Sequence, residues 1–352
     1  MAYTTIDNGE EHFNTVTYTG TGSSRSITGL EFGPDWVWIK RRNGAYSHYL
    51  YDSTRGTGKQ LYAEKTDAEA TDNTEVTAFN SDGFSLGSGS GTNENTNTQV
   101  AWCWKANGGT TSSNSNGTIT STVQANTTAG FSIITYTGNF TDNQTIGHGL
   151  SQAPEALIIK NRDTGSTSWV IYHEGLNFPT KDLIYFNTNA ANDHDPTFNN
   201  TAPSSSVITM GAYSFNNRSG DSHVCYAFHS VKGYSKFGKY TGNITSGSDG
   251  VFVYTGFKPA WLMVKSDSNA GQEWVIFDNK RDSFNQMDAW LYANASTAED
   301  STGDARDVDF LSNGFKFRNA GGPTSYSGRT YIYFAFAEHP FVSSKGVPVT
   351  AR

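Results

Sequence analysis

Pro34-Asp35-Trp36-Val37-Trp38-Ile39-Lys40 is one of three stretches in this sequence built alike. Its counterparts are Pro154-Glu155-Ala156-Leu157-Ile158-Ile159-Lys160 and Pro259-Ala260-Trp261-Leu262-Met263-Val264-Lys265, 120 and then 105 residues further on. Each has a proline, four successive apolar residues, and a lysine six positions after the proline. A short run that is apolar on both of its alternating faces reads as a central strand covered from two sides.

Working outward, the same neighbours recur in the same order. Tyr49-Leu50-Tyr51-Asp52, Val170-Ile171-Tyr172-His173 and Val275-Ile276-Phe277-Asp278 follow, with the aromatic third residue 11, 12 and 12 positions after its lysine. Tyr18-Thr19-Gly20, Tyr136-Thr137-Gly138 and Tyr240-Thr241-Gly242 precede the three prolines. Aromatic strands close the units: Val100 to Trp104, Val224 to Phe228 and Tyr331 to Phe336. Repetition at this length means one supersecondary unit copied along the chain. Shorter runs such as Gly83-Phe84-Ser85-Leu86, Val207-Ile208-Thr209-Met210 and Gly314-Phe315-Lys316-Phe317 add further strands between Gly, Asn and Asp turns. The pattern predicts an all-β protein of three tandem antiparallel β-sandwich domains of jelly-roll or lectin-like type.

Composition agrees. Aromatic residues make up 14% of the chain and charged residues only 16%, and β-branched and aromatic side chains suit pleated sheets while Gly and Asn suit turns. A net charge of −8 argues against a grip on nucleic acid, which needs clustered Lys and Arg. The sequence has no apolar run of membrane-spanning length and no signal-peptide pattern at its start, so synthesis in a cytoplasm without membrane insertion is expected. Cys103 and Cys225 fall in different units and read as small buried apolar residues.

The expected organisation is a short arm over residues 1–11, a first sandwich over 12–104, a Gly/Ser/Asn/Thr-rich linker over 105–129, a second sandwich over 130–232, and a third over 233–352 with a C-terminal tail. The linker predicts a first unit free to swing. The few residues around Lys232 to Ser235 predict a rigid pair of second and third units.

Along each Pro-to-Lys strand the faces alternate. Val37 and Ile39, Leu157 and Ile159, and Leu262 and Val264 belong to the inter-sheet core. The opposite face carries Trp36 and Trp38, Ala156 and Ile158, or Trp261 and Met263. Trp36, Trp38 and Trp261 are therefore candidate ligand-binding residues, since the apolar side of a pyranose stacks on an indole; the competing reading is that loops of the same unit cover them.

Catalytic signals are sparse. Glycoside hydrolysis needs two carboxylates at a set separation, and Glu155 has only Asp35 and Ala260 as counterparts. His173-Glu174 and His194-Asp195 are polar pairs without metal-ligand spacing. Asp193, Asp195, Asp304, Asp307 and Asp309 offer oxygen ligands for a structural Ca²⁺, but without EF-hand spacing. The expectation is a protein that is not an enzyme and has no cofactor.

Phe131 to Asn139, Thr145-Ile146-Gly147-His148-Gly149-Leu150, Pro154 to Arg162 and Trp169 to Gly175, with Ile27-Thr28-Gly29-Leu30, Pro34 to Lys40 and Ala101 to Gly108 of the first unit, resemble a repeated domain of virion proteins from phages of marine bacteria, similar to concanavalin-like sandwiches. The resemblance covers nearly the whole chain and carries no catalytic residues. It implies a virion structural protein acting as a tail fibre or tail-tip adhesin on host surface glycans, with a capsid decoration or head fibre protein of architectural role as the alternative and a polysaccharide-degrading enzyme as a third reading. It further implies other virion proteins of the tail or capsid as partners, a homo-oligomer with a trimer favoured, and residues 1–11 as a docking arm.

Overall fold

A computed structural model describes residues 3–178, 183–193, 195–246, 250–302, 306–319 and 321–349. The protein is nearly all-β, and every strand pairing within its sheets is antiparallel. In each unit the Pro-to-Lys strand lies in a large sheet between the closing aromatic strand and the second core strand. The first unit orders Phe13–Thr19, Thr98–Trp104, Trp36–Arg41, His48–Asp52, Lys59–Tyr62 and Ala70–Thr71. In the second, Phe131–Thr137, Ser222–Phe228, Ala156–Asn161, Val170–His173 and Ile184–Tyr185 follow one another, and in the third Ser235–Thr241, Thr330–Pro340, Phe257–Ser266, Val275–Asp278 and Leu291–Tyr292. A small sheet packs on each, containing Gly83–Leu86, Val207–Met210 or Gly314–Phe317.

Alternation assigns the two faces of each large sheet as the sequence predicts. Val37 and Ile39 pack with Phe84 and Leu86, Leu157 and Ile159 with Ile208 and Met210, and Leu262 and Val264 with Phe315 and Phe317, in three separate clusters. These are the sandwich interiors.

The opposite faces meet one another. Trp36, Trp38, Trp102 and Trp104 of the first sheet, Phe131, Ile158, Tyr226 and Phe228 of the second, and Trp261, Met263, Phe334 and Phe336 of the third form one continuous buried cluster. Trp36 stacks on Tyr226 at 4.3 Å and 17°, and Trp104 stands edge-on to Trp261 at 5.7 Å and 88°. Offset and edge-to-face pairs are the arrangements that ring quadrupoles favour. The expectation of separately buried domains is corrected accordingly: each sandwich has its own interior, and all three share an aromatic hub.

Equivalent contacts run in one direction around that hub. Lys40 Nζ donates to the Ser296 carbonyl of the third unit, Lys160 Nζ to Thr66 of the first, and Lys265 Nζ to Asn189 of the second, at 3.3, 3.2 and 3.4 Å. Likewise His48 Nε2 reaches the Tyr292 carbonyl at 2.8 Å, Trp169 Nε1 reaches Tyr62 at 2.9 Å and Trp274 Nε1 reaches Tyr185 at 3.0 Å. A head-to-tail contact that closes after three copies is a ring, so one chain builds a pseudo-trimer.

A further expectation is corrected. Within residues 105–129, Ser112–Asn114 and Ser121–Asn126 extend the large sheet of the second unit. Asp35 of the first unit accepts the amides of Ala106, Gly108 and Gly109 at 2.7 to 2.9 Å. Gly108 and Gly109 adopt φ of +62° and +78°, which only glycine reaches without strain and which turns their N–H groups onto one carboxylate. The first unit is thus fastened, with no free linker. Residues 3–11 of the arm lie against the body: Ile6 enters the hub, Tyr3 donates to the Gly256 carbonyl at 2.9 Å, and Lys280 pairs with Glu10.

Candidate functional site

Trp36, Trp38 and Trp261 are 1, 1 and 2% exposed. The covering that the sequence reading assigned to loops of the same unit comes instead from the neighbouring sandwiches. Trp36 lies against Phe131 and Tyr226, Trp38 against Phe186 and Trp261, and Trp261 against Trp102 and Trp104. No indole face is open to a sugar ring, so their assignment as ligand-contacting residues is corrected to packing residues of the hub. Cys103 and Cys225 are buried free thiols within two of the sandwich interiors, and burial pushes both pKa values up.

The polar residues at the hub are committed to the seams between units. Asp52 and Asp278 each bind an arginine three residues on, and each accepts a hydrogen bond from the unit next door, Tyr226 Oη at 2.7 Å and Trp102 Nε1 at 2.8 Å. Arg55 reaches Glu69, which also holds Arg162 of the second unit; Arg281 reaches Glu299, which also holds Arg42 of the first. Charges taken out of water need this degree of pairing to persist. At the third seam the same positions hold His173, Leu176 and Phe334. His173 Nε2 donates to the Tyr333 carbonyl at 3.1 Å, and its Nδ1 accepts the Gly175 amide at 3.0 Å. Burial lowers its pKa to about 4, so the ring is neutral near pH 7.

Beside that seam, burial first and then the neighbouring Glu155 push Glu174 up to about 7. Glu155 itself accepts from Ser230 Oγ. This is the pair of carboxylates with chemistry nearest to acid–base work, since Glu174 exchanges its proton near neutrality. Of the acidic residues considered for Ca²⁺, Asp309 is paired with Arg318, Asp307 accepts from Asn319 Nδ2, and Asp193 bridges to Leu183. Asp195 precedes the short turn Pro196–Phe198; His194 and Asp304 lie outside the described residues. Among the described residues no three His, Cys, Asp or Glu side chains gather as metal ligands.

Outer clefts recur at one place in two units. In the first, Pro34, Ser53, Phe79, Asn80 and Lys105 line about 410 Å³. In the third, Lys258, Asn279, Asp282, Phe284 and Phe310 line about 280 Å³. Each opens between the residue preceding a Pro-to-Lys strand or its proline, the loop after the second core strand, and the tip of the small sheet, where Phe79 and Phe310 are equivalent by their pairing with Phe84 and Phe315. Sequence reasoning missed these clefts. The signal was the loop of residues 279–290, longer than its counterpart 53–58 in the first unit.

A family model described as a domain of unknown function (DUF7483) matches residues 8–340. The single match runs through all three sandwiches. No curated protein matches the chain.

Proposed function

The chain belongs to the DUF7483 family over almost its whole length, and we propose that it is a bacteriophage virion protein, a tail-fibre or tail-tip adhesin that works by surface contact. The observation that supports this reading is closure of three sandwiches on one aromatic hub. A hub of that kind fixes the outer loops rigidly relative to one another, as a multivalent contact surface requires, because rigid placement spares the ordering entropy of binding. With the indole faces consumed by the hub, contact with host glycans falls to the Asn/Ser/Thr-rich outer loops and clefts.

The three copies give each chain an internal threefold arrangement, and such chains are proposed to assemble as a homo-oligomer, a trimer first. A body with internal threefold character fits the end of a trimeric shaft, one sandwich to each strand of the shaft. Catalysis is not part of the proposal.

The test has two arms. Gold-labelled antibody against the purified chain is applied to particles of the phage that encodes it, with label expected at the tail end. Fluorescent purified chain is applied to host cells, with saturable binding expected. Particles without label overturn the virion assignment; labelled particles with a chain that ignores the cells leave an architectural protein in place of an adhesin.

A further inference from the structure

The loop of residues 279–290 in the third sandwich carries Phe284, which is 81% exposed. An aromatic ring held in water at a loop tip is unfavourable for the isolated molecule and marks a contact surface when polar groups rim it. Here the rim is a cleft of about 280 Å³ in which Asn279, Asp282 and Asn285 flank the ring.

The hydrogen-bond ledger of this cleft has one open place. Asn285 spends both ends of its amide on the Phe310 backbone, at 2.9 Å each. Asp282 Oδ2 accepts the Asp288 amide, and Lys258 Nζ pairs with Glu338 at 2.6 Å. Asn279 is anchored by its own amide on the Ala260 carbonyl at 3.0 Å, yet its Oδ1 is buried without a hydrogen-bond partner in the protein. A buried acceptor left unpaired is costly, and because Asn279 as a whole is only half-buried, its side chain can turn toward the cleft and take an incoming donor.

A ligand for this cleft must bring an O–H to Asn279 and a flat apolar face to Phe284. The lysine is already neutralised and an aspartate lines the wall, so an anionic ligand is disfavoured. The equivalent cleft of the first unit makes the contrast: there the carboxylate of Asp35 is spent on three amides and Ser53, and no fully exposed ring stands beside it. We propose that the cleft beside Phe284 is a binding site for a neutral pyranoside, with the C–H face of the sugar on Phe284 and a hydroxyl donating to Asn279 Oδ1. The proposal rests on the adhesive reading and narrows it to one site in one unit.

Saturation-transfer NMR with methyl β-glucopyranoside, methyl β-galactopyranoside and N-acetylglucosamine tests it on the full chain. Transfer from the wild-type protein to at least one of these sugars is expected. Phe284→Ala, at a loop tip, leaves the fold intact and weakens binding about tenfold, the equivalent of losing one good contact of about 1.4 kcal/mol. Asn279→Ala also loses transfer but keeps or raises Tm, because it deletes an unpaired acceptor; a merely structural Asn279 would lower Tm instead. No transfer to any of the three sugars, or transfer unchanged in both variants, overturns the site. If the wild-type chain and Phe284→Ala bind host cells equally, the site falls while the adhesive reading stands.

Discussion

Tyr226 Oη donates to Asp52 Oδ2 across the seam between the first and second sandwiches at 2.7 Å, and Trp102 Nε1 makes the equivalent bond to Asp278 across the seam between the third and first at 2.8 Å. Both carboxylates are fully buried and also hold an arginine. Removing the phenol and removing the carboxylate should therefore differ. Tyr226→Phe leaves Asp52 paired with Arg55 and is expected to cost about 1–2 kcal/mol. Asp52→Ala leaves the buried Arg55 with Glu69 as its one remaining carboxylate and takes the acceptor from the Tyr226 hydroxyl, and should cost about 3–5 kcal/mol. Urea denaturation of the two variants checks the order.

The third seam is chemically distinct from the other two. Where they carry Asp, Arg and Tyr or Trp, it carries His173, Leu176 and Phe334, with the imidazole tilted against the Phe334 ring at 5.2 Å. A buried carboxylate facing leucine and phenylalanine would have no partner. His173→Asp alone should accordingly destabilise the chain by several kcal/mol. Adding Leu176→Arg and Phe334→Tyr should recover part of that loss. A multiple-mutant cycle reads this as a favourable coupling energy, and a triple variant no better than the single one contradicts the seam equivalence.

The alternating strand faces, the unit repeat and the sandwich interiors were legible in the sequence because alternation and spacing are local properties. The hub was not. A strand such as Trp36 to Ile39 states that both of its faces are covered but not by what, and covering by another unit leaves the same pattern as covering by a loop. The Asp-x-x-Arg motif at Asp52 to Arg55 and Asp278 to Arg281 was a visible hint of the seams, since buried charges need partners beyond their own strand. Composition misled for residues 105–129. Gly108 and Gly109 signal flexibility on average, yet here their positive φ serves to aim amides at Asp35. Phe284 gave no signal beyond the length of its loop, because exposure is set by tertiary structure.

The two indoles of the Pro34 to Lys40 strand separate packing from hydrogen bonding. Both are buried in the hub, but Trp38 Nε1 donates to His48 Nδ1 at 2.9 Å whereas Trp36 Nε1 has no partner. Replacement by phenylalanine removes similar volume from each. Trp38→Phe additionally orphans a lone pair of His48, so it should cost about 1–3 kcal/mol more than Trp36→Phe. Trp36→Ala, which empties the centre, should cost about 3–5 kcal/mol. Thermal unfolding followed by near-ultraviolet circular dichroism measures all three.

Acid sensitivity should arise at several buried histidines: His173 at the third seam, His48 at the seam between the first and third sandwiches, where burial holds its pKa well below the usual value, and His223 in the second sandwich. His173 is buried and neutral with a pKa near 4, against 6.5 in the unfolded chain, and burial lowers His223 to about 4 as well. Between these limits the unfolded state binds more protons, so stability rises with pH from about 4 to 6.5 and is lost as the solution is acidified through that window. Each fully shifted histidine accounts for about 3 kcal/mol at the acid end. Glu174 acts in the opposite sense, since its pKa is raised to about 7 from 4.5 and its contribution is lost as pH climbs from 4.5 to 7. It offsets only part of the histidine slope, being partly solvated and single. His173→Gln should flatten the acid limb of a plot of stability against pH, and Glu174→Gln should steepen it. Urea midpoints at pH 4.5, 5.5 and 6.5 distinguish the two, and identical slopes in wild type and His173→Gln would place the acid response elsewhere in the molecule.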